Sequence, residues 1–71
     1  MPNIDALKEK IAESGITMAN IAKKSGMNRV TLYNRLSGIG EFTASEIVGL
    51  SDTLKLTKAE REQIFLKRGS T

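Results

Sequence analysis

A chain of 71 residues with a formal net charge of +3 is expected to form one domain, residues 1–71, with no apolar run near the ~20 residues that span a bilayer. It holds no cysteine and no histidine, and its carboxylates show no ligand spacing, so no metal, no cofactor and no enzyme activity is expected. The absence of cysteine and of a signal-like apolar N-terminus points to a reducing cytoplasm.

The elements follow in order. Asn3 can cap a first helix, with Asp5 in its first turn favouring the helix dipole. Ile4, Leu7 and Ile11 share one face, Lys10 and Glu13 are spaced for a surface pair, and Ser14–Gly15 stop the helix. Thr17 can cap a second helix, Met18 to Lys24, whose inner face carries Ile21 and Ala22. Gly26 falls where the chain must turn sharply, and glycine takes a left-handed conformation without a Cβ penalty. Met27 can plug the corner. Asn28 can cap a third helix, Arg29 to Leu36, in which Leu32 and Leu36 face the core and Gly38 ends the run. Helix, glycine turn and helix over residues 17–38 make a helix-turn-helix, whose second helix can enter a DNA major groove.

Thr43 and Glu46 form a capping box for a fourth helix, with Phe42 and Ile47 placed as a hydrophobic staple and Ile47, Leu50 and Leu54 as the inner stripe. Gly49 in the interior of that helix implies close approach of another helix. Thr57 and Glu60 repeat the capping box for a fifth helix, with Ile64, Phe65 and Leu66 on its apolar side, Lys67 and Arg68 in its last turn and Gly69 as its C-terminal cap. With no strand pattern, the expected fold is all-α, five helices in a single compact domain.

The charge is unevenly spread. Between Ser14 and Gly40 lie Lys23, Lys24, Arg29 and Arg35 and no acidic residue. Taking these four from the 11 basic residues leaves 7 against 8 acidic elsewhere, so the whole positive excess sits on the second and third helices. That is where a DNA-binding chain would meet phosphate.

The segment IAKKSGMNRVTLYNRLSG, Ile21 to Gly38, resembles the helix-turn-helix of phage repressors of the Cro/CI type. Phe42 to Ile47 and Leu54 to Thr57 are similar to the fourth and fifth helices of short Cro-like proteins from phages of Gram-positive bacteria. The resemblance implies a lambda-repressor-like fold and a third helix that reads bases. By position, Asn28, Arg29, Val30 and Asn34 would lie toward base edges: Arg29 suits guanine, Asn34 adenine and Val30 a thymine methyl. Thr17, Lys23, Lys24, Tyr33, Arg35 and Ser37 would be phosphate contacts. A solvated role for Lys23 and Lys24 and a half-buried one for Tyr33 stand beside these assignments. One position and one loop depart from the family pattern. Met18 replaces a glutamine that contacts phosphate, and the loop Ile39-Gly40-Glu41-Phe42 lacks basic residues.

The resemblance therefore implies a phage transcriptional regulator, active in the lysis–lysogeny switch at the nucleoid of a bacterial host. It would bind double-stranded operator DNA as a homodimer, with the fifth helix and tail as the dimerising region. The alternative is a modulator that binds a partner phage repressor through the apolar residues Met18, Val30 and Ile39.

Overall fold

The computed structural model describes residues 3–65. Among them run five helices and no strand: α1 (Ile4–Ser14), α2 (Met18–Lys24), α3 (Arg29–Leu36), α4 (Ala44–Leu54) and α5 (Lys58–Phe65). The all-α fold is the one expected. Leu66, Lys67, Arg68, Gly69 and the tail expected to dimerise lie outside the described residues.

Polar side chains set the helix starts. Asn3 accepts from the Ala6 amide at 3.1 Å, Thr17 from Asn20 at 3.2 Å, and Asn28 from Thr31 at 2.7 Å. Both capping boxes are complete. The Thr43 hydroxyl accepts from the Glu46 amide while the Glu46 carboxylate accepts from the Thr43 amide, and Thr57 and Glu60 do the same. The helix-turn-helix corner is a Schellman turn. The Met27 amide donates to the Ala22 carbonyl at 2.9 Å and Gly26 to Lys23 at 3.2 Å, with Gly26 at φ +80. Helix α4 also ends in a left-handed residue, but that residue is Lys55 at φ 54, a position the sequence does not mark with glycine.

The core is a single cluster of Leu7, Ile21, Ala22, Leu32, Leu36, Leu50, Ile64 and Phe65. Leu7, Ile21, Leu32 and Leu50 are fully buried, which fixes the inward phase of α1 to α4. Phe42 and Ile47 both lie against this cluster, and the Phe42 ring meets Phe65 edge-on at 5.3 Å. Helix α2 packs on α3 and α4, and α1 packs on α4 and α5. Thus α4 spans the two halves and α3 rests on α2, with its other side open.

Met18 departs from the expectation of an exposed apolar contact. It starts α2 half-buried against the core, while Val30 and Ile39 stand out at 68% and 60% exposure. Its long flexible side chain can bend inward from the first helical turn and fill a gap beside the core.

Candidate nucleic-acid interface

Helix α3 presents its outer face because Leu32 and Leu36 anchor the opposite one. Val30, Asn34 and Ser37 follow one another at spacings of four and three, which stacks them along a single stripe away from those leucines. Val30 and Ser37 are exposed and Asn34 is partly so. Asn28 and Arg29, at the N-terminal end of α3, are exposed too. The Asn28 side-chain oxygen accepts the capping bond from the Thr31 amide, and its side-chain N–H groups remain to offer a base. The Arg29 guanidinium sits 5.9 Å from the centre of the Tyr33 ring, and Tyr33 is 46% exposed. This contact leaves the five guanidinium N–H donors of Arg29 available.

The expected phosphate set divides in two. Thr17, Lys23, Lys24, Tyr33 and Ser37 are exposed. Lys23 and Lys24 lie in the last turn of α2 and, with Arg29, have no ion-pair partner among the described residues. Arg35, expected as a phosphate contact, is already engaged within the chain. Its Nε donates to Glu46 Oε1 at 3.2 Å and its Nη2 to Glu46 Oε2 at 3.5 Å, while its Nη1 donates to the Ile39 carbonyl at 3.4 Å. The pair is recessed, with side-chain exposures of 20% and 13%. In the sequence, Glu46 stands only as the partner of Thr43 in a capping box. The missed partner lies 11 positions earlier and on another helix, and no local spacing rule reaches that far.

The helix-turn-helix therefore carries an exposed α3 stripe, three exposed cations with no ion-pair partner among the described residues, and hydrogen-bonding groups of the kind that bind base edges and phosphate. Residues 7–61 match the family model described as Helix-turn-helix, of the Cro/CI type. The chain belongs to this helix-turn-helix family. The match takes in α2, the turn and α3 entire, and more than half of the chain. No curated protein and no solved structure matches it. As a helix-turn-helix protein, the chain is a DNA-binding transcription regulator with a lambda-repressor-like fold. Among the described residues of this helix-turn-helix chain, no group of carboxylates is placed to hold a metal ion, and no helix is long and apolar enough to cross a membrane.

Proposed function

We propose that this regulator is of the phage type and binds operator DNA as a homodimer in the cytoplasm of a bacterial host, acting as a repressor in a lysis–lysogeny switch. The observation that carries the reading is the coincidence of two features. The outer stripe of α3 is open, and the cations of the same helix-turn-helix, Lys23 and Lys24 in the last turn of α2 and Arg29 at the start of α3, are uncountered among the described residues. In this reading Asn28, Arg29, Val30 and Asn34 meet base edges, and Thr17, Lys23, Lys24, Tyr33 and Ser37 meet the sugar–phosphate backbone. A two-fold pairing of the chain would set two α3 helices one DNA turn apart, about 34–36 Å.

A second reading has an observation of its own. Val30 and Ile39 are exposed apolar side chains, as a surface for a partner repressor would require. Titrating labelled duplex at two salt concentrations, with sedimentation of the free protein, tests both. Operator binding by a dimer gives affinity that falls steeply with salt, by about −0.9 in log K per log [salt] for each phosphate contact. A monomer that ignores DNA and co-elutes with a repressor supports the second reading.

A further inference from the structure

We infer that Glu46 sets how much of the positive charge of α3 reaches DNA, by holding Arg35 in an ion pair across the α3–α4 joint. The inference rests on the DNA-binding reading above. Each nitrogen of the Arg35 guanidinium makes one hydrogen bond, Nε and Nη2 to the Glu46 carboxylate and Nη1 to the Ile39 carbonyl, which engages three of its five N–H groups. The loop is shaped around it. Gly40 has φ +77, and a Cβ built there would lie 2.5 Å from Arg35 Nη1, so the missing side chain leaves room for the guanidinium.

The same planar fork binds a carboxylate or a phosphate equally well in geometry. In this recess, where water screens less than at an open surface, the carboxylate already holds it. From Leu36 to Leu54 the chain carries no lysine or arginine but has Glu41, Glu46 and Asp52. Arg35 is thus the cation that stands next to the loop after α3, and Glu46 cancels it. The protein keeps a fixed joint between α3 and α4 and gives up one phosphate contact. Glu46 lowers affinity for every sequence alike without touching DNA.

The experiment is the salt dependence of duplex binding for the full chain and for E46Q, R35Q and the double variant, with folding checked by circular dichroism. Glutamine at position 46 still serves a capping box, so α4 keeps its start. E46Q should steepen the slope of log K against log [salt] by about 0.9, which makes the loss of affinity from 50 to 200 mM salt about threefold larger. R35Q alone should leave the slope as it is, and R35Q in the E46Q background should return it to the wild-type value. An unchanged slope in E46Q overturns the inference, as does a shallower slope in R35Q alone, which would put Arg35 on phosphate already. Loss of salt-dependent binding in the unaltered protein overturns the DNA reading itself, and this inference with it. If E46Q does not fold, nitrogen-15 NMR of the unaltered protein decides. On adding duplex the Arg35 Nε–H signal should stay in place while that of Arg29 moves, and a moving Arg35 signal overturns the inference.

Discussion

Gly49 of α4 lies directly against the backbone of Ser25, at the end of α2. A Cβ at position 49 would fall 2.6 Å from the Ser25 carbonyl oxygen and 2.9 Å from its Cα. The Ser25 hydroxyl donates across the same crossing to Thr53 at 3.4 Å. This contact seats the first helix of the helix-turn-helix on α4, and its closeness depends on having no side chain. Gly49→Ala should therefore destabilise the fold. Alanine gains about 1 kcal/mol of helix propensity, but overpacking against an atom that cannot rotate away costs about 1–3 kcal/mol or more. Urea denaturation measures the net. A stabilised variant would show that α2 and α4 separate freely.

Leu32 is the pin that fixes which side of α3 faces outward. It is fully buried in the shared core. Leu32→Ala should cost about 2–5 kcal/mol, as expected for a buried leucine in a tightly packed site. A loss below about 0.5 kcal/mol in chemical denaturation would put α3 in another phase, and the assignment of Val30 and Asn34 to the groove would fall with it.

Lys10 of α1 donates to the carboxylate of Glu60, which also accepts from the Thr57 amide and caps α5. The hydrogen bond from Lys10, then that from the Thr57 backbone, hold Glu60 below its ordinary value, and the bond to Glu60 raises Lys10 above its own. The depressed carboxylate contributes stability above the ordinary glutamate range and loses it as pH falls through the folded value. The raised ammonium contributes below the ordinary lysine range and loses it as pH rises through its folded value. The stability difference between the unaltered protein and Lys10→Gln should accordingly be flat near neutrality and shrink toward zero in acid. The measurement is the urea midpoint across pH. A difference that persists far below the carboxylate range would assign the role of Lys10 to packing of its stem on the helix pair.

Arg29 and Lys24 separate base reading from charge. Both are exposed, and neither has an ion-pair partner among the described residues. Arg29→Ala should cost about 1–3 kcal/mol on the specific site and relax preference at one base position. Lys24→Ala should weaken specific and scrambled duplexes by the same factor and make the salt slope shallower by about one. Affinities for both duplexes with both variants check this. An equal loss on the two duplexes for Arg29→Ala would move Arg29 to the phosphate set.

Local rules reached far into this molecule. Asn3, Thr17, Asn28, Thr43 and Thr57 start helices because a side-chain oxygen and an amide three residues on satisfy each other, a relation contained within a few residues of sequence. Gly26 closes the turn for an equally local reason, its positive φ. The spacing of Leu32 and Leu36 gave the phase of α3, and burial of both leucines agrees with it. What the sequence could not decide is how side chains far apart in the chain share charge and space. Lys10 and Glu60 are 50 positions apart, and Arg35 and Glu46 are 11 apart with a turn between them. Two glutamates read as caps each take a cation from an earlier helix as well, because packing brings α1 to α5 and α3 to the start of α4. The number of uncountered cations on the helix-turn-helix is thus a property of the tertiary structure: the sequence supplies four, and the placement of Glu46 against Arg35 leaves three without an ion-pair partner among the described residues.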